Sequence, residues 1–469
     1  MVLSTAHGVI ILVFCERRKK WEKYFRKMRS LAQNLLCDLY AKLVEFIRKI
    51  IFSTEFLESN RIDPKSFSRN RLLPFHYIIL FLINLIKGSY QDELDYFFKA
   101  IRNSQTFLRV VTKSAFCKAR KKLRFQAFTE LNDAAVQFFE DNFEPKTWHE
   151  LTLVGIDGST VVVPKNDAVA EHFGVWNANS DNPCPMARIS QMFDVLNKVT
   201  IDAILSPKGT GERELCSHHF VKITPNHLVL LDRGYPAYWL FNQILALGAN
   251  FCARVPVTRW KVIRKFFNSG KAEKIITLKA TPTSIPKCQE LGLDPRPLVL
   301  RLIREELDSG ESEVLVTNLI DRETWPIDLF GDLYHCRWPV EEDYKVMKSR
   351  IQMENFTGKS VLSVYQDFHA RVFSKNLAHM LTFAAQREVD LKDSERQYAY
   401  QINFTQALSK MKDTIVLLFD RSKEVVRHLL ESLLNLFIGT VEPVRPNRKF
   451  PRPKKVQRKG FYANYKPIR

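Results

Sequence analysis

The chain has 469 residues, 45% of them hydrophobic, and carries 71 Lys and Arg against 51 Asp and Glu, a formal charge of +20. That length and apolar content allow two to four domains around a sizeable core, and the cationic excess favours a polyanionic partner bound in a salt-sensitive way. The cysteines form no Cys-x-x-Cys pair and no local Cys/His cluster, which argues against structural zinc and for reduced thiols in a cytoplasmic protein.

In chain order, the first feature is the apolar run Gly8 to Cys15, followed by Glu16-Arg17-Arg18-Lys19-Lys20. It is too short to span a bilayer and lacks a preceding basic segment or a clear cleavage site, so residues 1–60 read as a helical, basic extension. Residues 61–148 continue in long amphipathic runs and read as a helical domain with no clear helix-turn-helix signature. Leu72 to Ile86 is strongly apolar but contains Pro74, His76 and Asn84, which fits a buried core helix and no membrane span. Between Lys113 and Arg124, Phe116, Ala119 and Leu123 share one helical face with cations elsewhere. Such a helix either packs inward while offering its basic side to phosphates or is an ordinary solvated face, and the two readings weigh equally.

The pattern then turns to strands. Leu151 to Ile156 leads into Asp157-Gly158-Ser159-Thr160, and His227 to Leu231 leads into Asp232-Arg233-Gly234-Tyr235. A buried strand ending in Asp and a glycine turn presents a carboxylate at a sheet edge, although each Asp alone is as readily a turn former or helix cap. Ala187 to Val195 and Val199 to Leu205 read as a hairpin across Leu196-Asn197-Lys198, and residues 212–222 as helix. Four more strand-like runs follow, Phe251–Val255, Lys274–Leu278, Leu298–Ile303 and Glu313–Thr317, and residues 256–320 are taken as a mostly β insertion.

Next comes Tyr334-His335-Cys336-Arg337-Trp338-Pro339-Val340-Glu341, with Lys348 beyond. At about 100° per residue from Tyr334, Arg337 falls near about −60°, Glu341 near about −20° and Lys348 near about −40°, so an acid, two cations and a phenol share one stripe. A carboxylate flanked by phosphate-binding groups suits a metal ion holding a nucleic-acid backbone. Pro339 is tolerated in a first helical turn, which predicts a helix starting there with Glu341 at its positive end and Tyr334 and Arg337 before it. Residues 401–440 read as helices, including one amphipathic run from Thr414 to Leu436. From Arg445 to Arg469 there are ten Lys or Arg and no acid, with prolines and aromatics interspersed, so the basic tail 441–469 reads as an extended arm on DNA, a segment disordered until DNA arrives, or a solvated tail with no specific role.

The Tyr-x-x-Arg-x-x-x-Glu-x6-Lys spacing from Tyr334 to Lys348, preceded by the two strand-borne aspartates, resembles the signature of DDE transposases of bacterial insertion sequences, the insertion sequence four family. The resemblance covers roughly residues 150 to 365, including Glu354 to Lys359. It implies an α/β fold with a ribonuclease H-like core in two parts, 149–255 and 321–400, separated by the β-rich insertion. In that fold the first and fourth strands are neighbours, so Asp157 and Asp232 are expected to meet.

The resemblance further implies Asp157, Asp232 and Glu341 as catalytic metal ligands for two Mg2+ ions, with Mn2+ substituting. Asp157 bridges both ions, and the reaction is an in-line phosphoryl transfer on DNA. Tyr334, Arg337 and Lys348 grip phosphates at the cleavage site, and Trp338 either stacks on an extruded base or is a core tryptophan. Glu342 and Asp343 rival Glu341 by chemistry but point elsewhere on the helix. The expected partners are double-stranded DNA, as terminal inverted repeats and as target, and a second copy of the chain in a synaptic dimer. That residues 61–148 are the DNA-binding domain is an expectation from the same family resemblance. A DNA-binding regulator that has lost catalysis, or a nuclease without strand transfer, are the alternatives.

Overall fold

The computed structural model describes residues 35–69, 71–176, 183–307, 310–391, 397–445 and 466. The apolar run Gly8 to Cys15 and all of the basic arm but Arg445 and Lys466 lie outside those residues. The chain divides into two compact units, one formed by residues 1–49 with 381–449 and the other by residues 50–380 with 450–469. Among the described residues no helix is long and apolar enough to cross a membrane, and the described cysteines are all free.

The larger unit is a mixed α/β fold built on one nine-stranded sheet. Its main strands are β1 (Thr152–Val162), β2 (Cys184–Asp194), β3 (Val199–Ser206), β4 (His227–Leu231), β5 (Asn250–Arg254), β6 (Glu273–Leu278), β7 (Leu298–Glu306) and β8 (Ser312–Thr317). They lie in the order β3-β2-β1-β4-β5-β8-β7-β6, and a two-residue strand, Val175–Trp176, pairs with the start of β2. β1, β4 and β5 are parallel to one another, while β2 and β3 on one side and β8, β7 and β6 on the other are antiparallel to their neighbours. The five residues of β4 are all buried, as a central parallel strand requires.

The hairpin expected at Leu196-Asn197-Lys198 forms between β2 and β3. Asp194 Oδ1 accepts from the Leu196 and Asn197 amides, and Lys198 takes φ 57°. The strands of 256–320 are continuous with the central sheet, because β8 pairs along β5 from Cys252↔Thr317 to Arg254↔Leu315. Two helices, Lys261–Asn268 and Ile285–Glu290, accompany them.

Side chains on alternate residues of β1 share a face. On the face of Leu153, Gly155, Asp157, Ser159 and Val161, Leu153 joins an apolar cluster with Leu230, Leu333 and Val340, and Val161 joins another with Tyr344, Met347 and Phe368. Asp157 and Ser159 are the polar residues between these two clusters. Gly155 lets the following helix close on the sheet: a Cβ there would stand 3.0 Å from Val195 and 3.4 Å from Val340.

The helical region before β1 contains Phe75–Leu82, the buried helix expected from Leu72 to Ile86, and Lys113–Arg120. The latter stops at Arg120, short of Leu123, which pairs instead with Arg61 in an isolated β-bridge. Phe116 is buried as expected, but so is Arg120, so one cation of the expected basic face points inward. In the smaller unit the run from Thr414 to Leu436 is two helices, Thr414–Asp420 and Lys423–Gly439. Arg421 between them is extended, with φ −89° and ψ 167°.

Candidate active site

Asp157 lies inside β1 rather than at its end, which corrects the expectation from the sequence. Gly158 makes no turn: it continues the strand opposite Ser190, and its amide donates to Asp157 Oδ1 at 2.8 Å. The strand continues because β2 keeps pairing with β1 as far as Val162↔Met186. Its parallel pairing with β4, in contrast, ends at Ile156↔Leu231. Asp157 and Asp232 are thus the next residues of two neighbouring strands, side by side just past their last paired row. Asp232 opens a turn in which the Tyr235 amide donates to the Asp232 carbonyl at 3.0 Å.

Glu341 comes from the helix Pro339–Lys345, which begins at the proline as its sequence predicts, with Glu341 and Glu342 in its first turn. Tyr334 belongs to the preceding helix Leu329–His335, and Arg337 sits in the turn between them. That turn is a tight helical one, with amides donating three residues back from Arg337 to Tyr334 and from Glu341 to Trp338. Lys348 lies in a π-helical turn, Val346–Arg350. The stripe inferred from one regular period is therefore three differently wound segments, and its residues still converge on Asp157 and Asp232.

The contacts are specific. Tyr334 donates its hydroxyl to Asp232 Oδ1 at 3.2 Å, and Arg337 Nη2 donates to Glu341 Oε1 at 2.7 Å. Lys348 Nζ donates to Ser159 Oγ at 2.6 Å, and Tyr344 donates its hydroxyl to the Asp157 carbonyl at 2.7 Å. Ser159 and Tyr344 were not singled out from the sequence. Ser159 is two residues from Asp157 in a strand and Tyr344 three from Glu341 in a helix, so spacing held the signal.

Trp338 is 43% exposed, which removes the core reading, and its Nε1 donates to Glu342. Of the rival acids, Glu342 pairs with Lys345 on the surface and Asp343 turns inward onto Lys375.

The electrostatics tie the carboxylates together. Burial pushes the Asp157 carboxyl up to about 6; Glu341 and Asp232 push in the same direction, while Arg337 and the Gly158 amide oppose. Burial raises the Tyr334 hydroxyl far above its usual range. Burial disfavours the Arg337 charge, but Tyr334, Glu341 and Asp232 outweigh it and hold the guanidinium firmly protonated. Arg337 is 6% exposed, and its Nε and Nη1 have no hydrogen-bond partner among the described residues.

Hard carboxylate oxygens of this kind suit a hard divalent cation. Among the described residues no three His, Cys, Asp or Glu side chains converge to hold one ion. Asp157, Asp232 and Glu341 offer the carboxylate oxygens that a divalent cation takes together with water and phosphate oxygens.

Carboxylates side by side where two parallel strands stop pairing, edged by a buried cation, suit chemistry on a phosphate. Comparison with known proteins gives the class: the transposase DDE domain family matches residues 148–377. The transposase InsG of insertion sequence element IS4 from Escherichia coli K12 is 24% identical over 352 residues, 73% of this chain and 76% of that protein. A cryo-EM structure of the piggyBac transposase synaptic complex with hairpin DNA aligns with TM-score 0.45 and 11% identity, covering 84% of this chain and 85% of that one. The chain belongs to the DDE transposases of the insertion sequence four family. It is a DNA-acting, divalent-metal-dependent enzyme of transposition.

Proposed function

We propose that this transposase cuts DNA at the ends of its element and joins it to target DNA, with Asp157, Asp232 and Glu341 holding two Mg2+ ions. The observation that carries the reading is the register of β1 and β4, which sets Asp157 beside Asp232. The mutual field of the three carboxylates adds to it. Held by Asp157, Asp232 and Glu341, such ions would supply activation of the attacking hydroxyl and neutralisation of the leaving oxygen's charge.

The protein's own groups supply the rest. Asp157 and Asp232 face the reaction from the sheet and Glu341 from the helix. Arg337, with two nitrogens free, offers a planar fork to a phosphate, and Lys348 a point charge on the Ser159 side. Tyr334 orients Asp232 through its hydroxyl. Trp338, exposed beside this cluster, stacks on a base displaced from the duplex.

The sheet order β3-β2-β1-β4-β5, with β2 antiparallel, supports a ribonuclease H-like core. The strands of 256–320 then extend its far edge. Residues 61–148 form the DNA-binding domain in this reading. There a groove of about 970 Å³ is lined by Lys65, Arg69, Arg71, Lys118 and Lys122 and, among the described residues, by no acid, which suits a phosphate backbone. Two copies act together, because both element ends must be held before either is joined.

The test is cleavage of a labelled duplex carrying the element's end with Mg2+, comparing the parent with Asp157→Asn, Asp232→Asn and Glu341→Gln. The reading requires a free 3′-hydroxyl at the boundary from the parent and binding without cutting from each variant. A parent that binds and never cuts, with Mg2+ or Mn2+, would establish a regulator instead.

A further inference from the structure

Asp343 and Lys375 form an ion pair of 2.5 Å in which the side chains are 3% and 0% exposed. Nothing in the chemistry above uses it, and removing two charges from water costs several kcal/mol per ion, by about that order. Its place in the fold gives it a purpose. Asp343 is two residues beyond Glu341 on the helix Pro339–Lys345, and its Oδ2 also accepts from Gln191 Nε2 at 2.8 Å. Gln191 is the cross-strand partner of Asp157. Lys375, from the long helix Val361–Asp390, also donates to Thr200 Oγ1 on β3 at 2.7 Å and lies 5.1 Å from the Phe193 ring centroid.

Asp343 is therefore tied at one oxygen to the strand position opposite Asp157 and to a cation held by the next strand. Packing of Val340 at Gly155 fixes how closely the helix approaches β1, but apolar contact leaves rotation about the helix axis free to slip. Directional bonds from Asp343 and from Tyr344 remove that freedom. A rotation of the helix would carry Glu341 away from Asp157.

We propose that Asp343 and Lys375 are positioning residues that hold the Glu341 helix in register with the strand bearing Asp157, and so set the affinity of the site for its divalent ion. The inference rests on the reading of Asp157 and Glu341 as metal ligands. It predicts that loss of the pair weakens metal binding without weakening DNA binding, as removal of groups that orient ligands does elsewhere.

The experiment measures Mn2+ binding to the full chain on end DNA from the EPR signal of the free ion, alongside thermal unfolding and metal-free DNA affinity. Lys375→Met and Asp343→Asn are expected to weaken Mn2+ binding by about tenfold or more, with DNA affinity unchanged. The apolar pair Asp343→Leu with Lys375→Met restores stability lost by the single changes and keeps the fold testable; its Mn2+ binding stays weak, because it restores packing without direction. Arg120→Met, which breaks a buried ion pair elsewhere in the same unit, should lower the unfolding temperature and leave Mn2+ binding unchanged. Parent-like Mn2+ binding by folded Lys375→Met or by the apolar pair would overturn the proposal. If Asp157→Asn and Glu341→Gln also bind Mn2+ like the parent, the ligand reading itself has failed, a distinct result.

Discussion

Arg120 and Arg337 are both buried arginines paired with a carboxylate, and they differ in how completely they are satisfied. Arg120 Nε donates to Gln366, Nη1 to Tyr90 and Thr357, and Nη2 to the Ser363 carbonyl and Asp367, closing a knot between the helical region and the helix Val361–Asp390. Arg337 spends one nitrogen on Glu341 and leaves two without partners among the described residues, beside carboxylates that repel one another. The donors that Arg337 leaves open beside these carboxylates are ones an anionic ligand would complete. Arg120 spends its donors holding the fold together, whereas Arg337 keeps donors beside the candidate site.

The largest expected effect breaks the saturated side. Arg120→Met strands Asp367 among groups arranged for a cation and should cost about 3–5 kcal/mol of stability, read from denaturant unfolding, with cleavage per folded molecule unchanged. On the open side the sign reverses. The Asp157 carboxyl is raised from 3.8 to about 6 chiefly by burial, so its contribution to stability is present below the unfolded value and lost as pH rises through about 6. Asp157→Asn should therefore stabilise the metal-free protein at pH 8 by up to about 3 kcal/mol while abolishing cleavage. The gain should disappear near about pH 4, where the parent carboxyl is itself protonated. Denaturation curves without metal at both pH values check it.

Arg337→Met should slow cleavage about 100-fold, roughly 2.7 kcal/mol of barrier, with stability changed by less than about 1 kcal/mol. Arg337→Lys should not restore the rate, because a point charge lacks the fork. Single-turnover cleavage and thermal unfolding, measured together, separate these effects. The smallest change is expected for Trp338→Ala: stability within about 0.5 kcal/mol, and a loss of about 1 kcal/mol in binding a duplex end with an unpaired base. Equal losses on paired and unpaired ends would remove its stacking role.

Much of this site is legible along the chain because each part is local. Asp232 after an apolar strand, the Asp194 hairpin and the helix start at Pro339 each depend on a few neighbouring residues. Asp157 shows the limit: its glycine suggested a turn, whereas β2 runs alongside and holds the strand extended to Val162. The stripe from Tyr334 to Lys348 was found with one helical period although the backbone winds tightly at Arg337 and loosely at Lys348.

Long-range partners left no local trace. Arg120 read as one more exposed cation until Asp367 met it, and Asp343 as a rival ligand until Lys375 did. The extension of the central sheet by β8, β7 and β6 depended on pairing with β5, which no spacing records. The break at Arg421 falls within a run whose apolar period continues across it.

The most direct measurement replaces the bridging 3′ oxygen at the element boundary with sulfur and follows single-turnover cleavage in Mg2+ and in Mn2+. If carboxylate-held ions contact the leaving atom, sulfur should slow the Mg2+ reaction at least about tenfold and Mn2+, the more thiophilic ion, should restore it. A reaction indifferent to the substitution, or slowed equally with both ions, would contradict a metal at the leaving oxygen and with it the roles given to Asp157, Asp232 and Glu341.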